Sequence, residues 1–123
     1  PLLHIIDTSA GVDGKPSNQF IGGVELCSEV SNLAELDTGR GERVYVSCFR
    51  DSQVWAIDPI GRTVEAVINV GRGPNSLVGL PGRGKVLVSN FLEDTISVID
   101  VTPGSPCENR FVMRLGRARQ GEE

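Results

Sequence analysis

Two six-residue blocks recur along this chain at a fixed distance, and that periodicity limits the folds open to it. Val44-Tyr45-Val46-Ser47-Cys48-Phe49 returns as Val86-Leu87-Val88-Ser89-Asn90-Phe91. Gln53-Val54-Trp55-Ala56-Ile57-Asp58 returns as Thr95-Ile96-Ser97-Val98-Ile99-Asp100. The interval is 42 residues in both cases, from Val44 to Val86 and from Asp58 to Asp100. A third copy of the second block opens the chain as Leu2-Leu3-His4-Ile5-Ile6-Asp7, and a shorter block reads as Phe20-Ile21-Gly22, Asn69-Val70-Gly71 and Arg114-Leu115-Gly116. At such a period each unit is one supersecondary motif that buries its apolar face only against its neighbours.

Every block has strand character. Val44 and Val46, like Val86 and Val88, alternate with their neighbours at period 2 and are β-branched. Turn signals separate the blocks at Asp58-Pro59 with Gly61, Gly71 to Pro74, Pro81-Gly82 and Thr102-Pro103-Gly104. The best helical candidate is Ser28 to Leu36, where Val30, Leu33 and Leu36 share helical spacing. By alignment that stretch takes the place of the strand Asn75 to Leu80, so a strand is predicted there too. Four short strands per unit of this length mark a β-propeller blade, which spans about 40–45 residues. The predicted fold is therefore all-β, with four-stranded antiparallel blades forming an incomplete propeller of about two and a half blades. With strands A to D numbered outward from the axis, a half blade (C, D) is expected over 1–21. Whole blades are expected over 22–70 and 71–115, followed by a charged tail over 116–123. Closure of a propeller needs about 4 to 8 blades, so further blades are expected from the same or another polypeptide.

The blocks also resemble a known repeat. Val44-Tyr45-Val46-Ser47, Gln53-Val54-Trp55-Ala56-Ile57-Asp58 and Val70-Gly71-Arg72-Gly73-Pro74 are similar to the YVTN repeat, and Val88-Ser89-Asn90 with Thr95-Ile96-Ser97-Val98-Ile99-Asp100 match it better still. The resemblance covers 44–100 well and the rest weakly. It implies a propeller fold, usually seven-bladed, and says little about function. Cys48 stands where Asn is usual, and the D-to-A connection from Gly22 to Val30 reads as enlarged. In that family the D-to-A and B-to-C connections rim one face around the central channel. The resemblance thus places Arg50, Asp51, Arg72, Asn75, Glu93 and Asp94 on a ligand or partner rim, to be weighed against an ordinary solvated loop surface. It also puts Cys27 and Cys48 on that face, where an oxidising compartment would allow them to pair, with three unpaired thiols as the alternative. Cys107 would lie on the opposite face.

The other recurrent residues read as architecture. Asp7, Asp58 and Asp100 each end a strand before a turn sequence, where an Asp side chain accepts backbone N–H groups two residues on. Gly-Arg-Gly occurs at 39–41, 71–73 and 82–84. The first and third fall in equivalent A-to-B hairpins, where glycine supplies positive φ, and no phosphate-loop Lys-Ser/Thr follows. His4 and the scattered serines form no nucleophile–base arrangement, and Trp55 has Ser97 as its counterpart, so it is not a repeated docking tryptophan. No zinc or other metal set is expected from three dispersed cysteines and one histidine.

Composition closes off further classes. A net charge of −4 across 123 residues argues against binding nucleic acid by phosphate neutralisation. No segment approaches the roughly 20 apolar residues of a membrane span. The first residue is Pro1 with no leader pattern after it, and a processed, excised or partial chain is expected. The reading reached is a non-catalytic binding or scaffold module of an extracytoplasmic YVTN-like protein (periplasm, cell surface or secreted), without cofactor and with a protein partner. The alternative is the propeller portion of a haem or quinone redox enzyme or of a lactonase-like hydrolase.

Overall fold

The computed structural model describes residues 1–116. They form ten strands and no helix, in three antiparallel sheets. Strands β1 (Leu2–Asp7) and β2 (Gln19–Glu25) make a two-stranded sheet. Strands β3 (Val30–Asp37), β4 (Glu42–Cys48), β5 (Gln53–Asp58) and β6 (Thr63–Asn69) follow in spatial order as the second sheet. Strands β7 (Pro74–Leu80), β8 (Lys85–Asn90), β9 (Thr95–Asp100) and β10 (Arg110–Gly116) form the third. Each sheet is a propeller-type blade or part of one, and the stack does not close on itself. Apart from Gly116, the expected tail lies outside the described residues.

Period-2 alternation gives each four-stranded sheet two apolar faces. On the second sheet, Val44, Val46, Trp55 and Ile57 point toward β1–β2 and pack with Leu3, Ile5, Val24 and Leu26. The opposite face presents Leu36, Tyr45, Val54, Ala56 and Ile68 to Leu77, Val86, Val88, Ile99 and Val101 of the third sheet. This second layer is the main core. Burial pushes the Tyr45 phenol up to about 12.

Backbone pairing corrects the reading of strand D. Val24, Ile68 and Leu115 stand opposite Leu3, Val54 and Ile96, which are themselves repeat equivalents. The matching D-strand segments are therefore Gly23-Val24-Glu25, Val67-Ile68-Asn69 and Arg114-Leu115-Gly116, not the blocks that begin at Phe20 and Asn69. All three D strands carry a bulge at the same point, at Ile21, Glu65 and Val112. It follows that the D-to-A connection is not enlarged: 26–29 and 70–73 are equal in length. Length varies instead in the C-to-D connections, 8–18, 59–62 and 101–109. Strand-to-strand spacing in the sequence cannot distinguish these cases, because cross-strand partners set the phase. The candidate helix over 28–36 is instead the end of the D-to-A connection followed by strand β3 from Val30, as the repeat required and against its helical spacing.

Candidate functional site

The loop face carries the B-to-C turns (49–52 and 91–94) and the D-to-A connections (26–29 and 70–73). Backbone bonds lash these together in the same way twice. Phe49 N–H donates to Glu29 O and Phe91 N–H to Gly73 O, each at 2.9 Å. Ser52 and Asp94 occupy the same turn position with φ of 55° each, a left-handed conformation that a short polar residue tolerates.

Beneath this face the two blades use different fasteners at one place. In the third sheet, Asn90 is buried at the end of β8 and donates through Nδ2 to Thr95 Oγ1 (3.1 Å) and Ser97 Oγ (2.8 Å). Ser97 Oγ also accepts from Gly71 N–H at 3.3 Å. Asn90 Oδ1 has no hydrogen-bond partner among the described residues. In the second sheet, Cys48 and Cys27 take the positions of Asn90 and Gly71 and are joined by a disulfide with an S–S distance of 2.10 Å. Gly71 is required opposite Asn90, since a Cβ there would stand 2.6 Å from Asn90 Cγ. Cys107 is a free, exposed thiol.

The six expected rim residues separate. Arg50 and Arg72 meet across a shallow depression of about 440 Å³ between consecutive blades, floored by Phe49 and Leu92 and edged by Ser52 and Glu29. Arg50 Nε pairs with Glu29 Oε2 at 3.1 Å, and Arg72 Nη2 donates to Leu92 O at 3.2 Å. Glu93 does not face the depression. It turns inward, accepting from Arg72 N–H (2.8 Å) and Thr95 Oγ1–H (2.7 Å), with Arg114 Nε 3.6 Å away. Burial would raise its carboxyl, but these donors and the cation hold it below the usual carboxylate range. Asn75 is the exposed bulge residue of β7, and Asp51 and Asp94 sit in the turns outside the depression. The sequence signal for Glu93 was the spacing Asn90-x-x-Glu93-x-Thr95-x-Ser97, which gathers the clasp but carries no recognisable motif by itself.

The repeated aspartates close their own turns. Asp7 Oδ1 accepts from Ser9 N–H at 2.8 Å. Asp58 Oδ1 accepts from Ile60 N–H (2.9 Å) and Gly61 N–H (3.1 Å), and Asp100 Oδ1 from Thr102 N–H (2.9 Å). Among the described residues no group of three or more His, Cys, Asp or Glu could hold a metal ion. His4 packs edge-on against Phe20 at 5.3 Å between ring centroids. Among the described residues no helix is long and apolar enough to cross a membrane. No protein-family model matches the chain, and no curated protein matches it.

Proposed function

We propose that this chain is a non-catalytic scaffold and binding part of a larger, extracytoplasmic propeller of the YVTN type, and that its open sheet faces are assembly surfaces. One observation carries the reading. Ile96 and Leu115 stand where the 42-residue repeat and the pairing register place Val54 and Ile68 in the preceding blade. Val54 and Ile68 are 0% and 3% exposed beneath the third sheet, whereas Ile96 and Leu115 are 39% and 44% exposed. Val78, Leu87, Val98 and Met113 form a second row across the same face. Equivalent residues have equivalent apolar character, and only one set is covered. An apolar face four strands wide is what another blade would bury.

Two further features support the reading. The Cys27–Cys48 bond fits an oxidising compartment. The Arg50–Arg72 depression lies on the loop face, where a rigid scaffold presents its variable contacts. The test is the solution state of the chain. Self-association is expected, with a Val78→Asp, Ile96→Asp variant returning to monomer. A monodisperse, cooperatively folding monomer of 13.2 kDa overturns the proposal.

A further inference from the structure

We infer that the free edge of β1 is an acceptor for a β-hairpin of this repeat's own A–B type, and that it selects a hairpin carrying Lys or Arg at one defined position. The inference rests on the propeller reading and adds to it the chemistry of the partner. Strand β1 is the repeat equivalent of β5 and β9, which pair on both sides. Among the described residues β1 pairs with β2 alone, leaving one row of N–H and C=O groups open to strand addition. A groove of about 630 Å³ runs along this edge, with His4, Ile5 and Ile6 on one side and Glu35 and Val44 on the other.

The floor of the groove is a face that the next blade buries. Leu33 stands opposite Val46 as Leu77 stands opposite Val88. Leu77 is 6% exposed because β3 and β4 cover it, while Leu33 is 50% exposed. A hairpin placed on β1 as β3–β4 is placed on β5 would cover Leu33 and Val44. The register follows from the existing pairs. The position of Val44 and Val86, opposite Ile57 and Ile99, falls opposite Ile6, and that of Tyr45 and Leu87 falls opposite Ile5.

Selectivity comes from Glu35. In the observed stack the A strand of one blade rests on the A strand of the next, and a Cβ on Gly79 would stand 3.2 Å from Leu36 Cβ. Glu35 is the register equivalent of Gly79. A hairpin with leucine at the position of Leu36 and Leu80 would therefore press an apolar chain onto a carboxylate and strip its water. A basic residue there pairs with Glu35 instead.

The probe is a synthetic hairpin of residues 74–90 of this chain, fluorescently labelled and titrated onto the full chain by anisotropy. The Leu80→Arg hairpin is expected to bind more tightly than the Leu80→Glu hairpin by about tenfold or more, and Glu35→Arg in the chain reverses that order. N-methylation of the hairpin amides that face β1 weakens binding by about tenfold or more, the effect of losing one or two backbone hydrogen bonds, while methylation of solvent-facing amides does not. An order that survives Glu35→Arg, or insensitivity to β1-side methylation, overturns the inference. The solution state of the unsubstituted chain, measured beside the titration, separates the two proposals. An unsubstituted chain that stays monomeric yet captures the hairpin retains the acceptor edge and loses the assembly reading. A chain that assembles but captures no hairpin does the reverse.

Discussion

Breaking the Cys27–Cys48 bond tests how the loop face is held. Both sulfurs are buried, and the bond spans a sequence separation of 21. In the chain-entropy treatment, closing a loop of that size removes about 11 cal/mol/K from the unfolded ensemble, or about 3 kcal/mol at 25 °C. The cleanest comparison is the oxidised against the fully reduced protein, since the side chains are the same and buried thiols pack as small apolar groups. Trp55, the single tryptophan, lies in the layer between β1–β2 and the second sheet and reports unfolding by fluorescence. With a guanidinium slope of about 3 kcal/mol/M for a domain of this size, the midpoint falls by about 1 M on reduction. Free Cys107 takes no part, so Cys107→Ser leaves the difference intact. Coincident oxidised and reduced midpoints would refute the reasoning, because they would mean that the lashings 26–29 to 49–52 already hold the loop closed in the unfolded chain or contribute nothing in the folded one.

Three other outcomes follow from the same structure. Leu77→Ala is expected to cost about 3 kcal/mol in denaturant unfolding, a buried leucine leaving a cavity, whereas its equivalent Leu33→Ala costs about 1 kcal/mol or less while that face is open; equal costs would contradict the stacking order. Burial alone would raise the Asp100 carboxyl, but the Thr102 N–H, the Ser105 hydroxyl and Lys85 hold it at about 2. A depressed folded value means stability present above the unfolded value near 3.8 and lost as pH falls toward 2, worth about 2 kcal/mol; an acid unfolding curve unchanged by Asp100→Asn would refute it. Gly71→Ala places a Cβ 2.6 Å from Asn90 Cγ and 2.8 Å from Glu93 Cδ, and the resulting strain lowers stability by about 1–3 kcal/mol, with Asn90→Ala in the same chain expected to relieve part of it in a thermal melt.

Much of the architecture was legible before any coordinates. Val44/Val86, Ile57/Ile99 and the three turn aspartates declare themselves because period-2 burial and Asp-capped turns are local chemistry, repeated at one interval. The strand at 30–37 was legible only through its repeat partner, since its own apolar spacing fits a helix equally well. The phase of strand D was misread for the opposite reason: Phe20-Ile21-Gly22 looks like its neighbours, but its partners on β1 assign the equivalence to Gly23-Val24-Glu25. The candidate site divides along the same line. Arg50 and Arg72 were expected on the loop face from the resemblance to the YVTN repeat, but that they flank one depression while Glu93 turns inward depends on which blade packs on which.

What the amino-acid order determined by itself is therefore the unit: four short strands, their turns, and two apolar faces that no single blade can satisfy. What only the tertiary structure decided is which copy of each face is covered. Val54 and Ile96, or Leu77 and Leu33, are equivalent in the chain and differ only in neighbours. Hydrophobic burial acts on area removed from water, and that area belongs to the stack rather than to the residue.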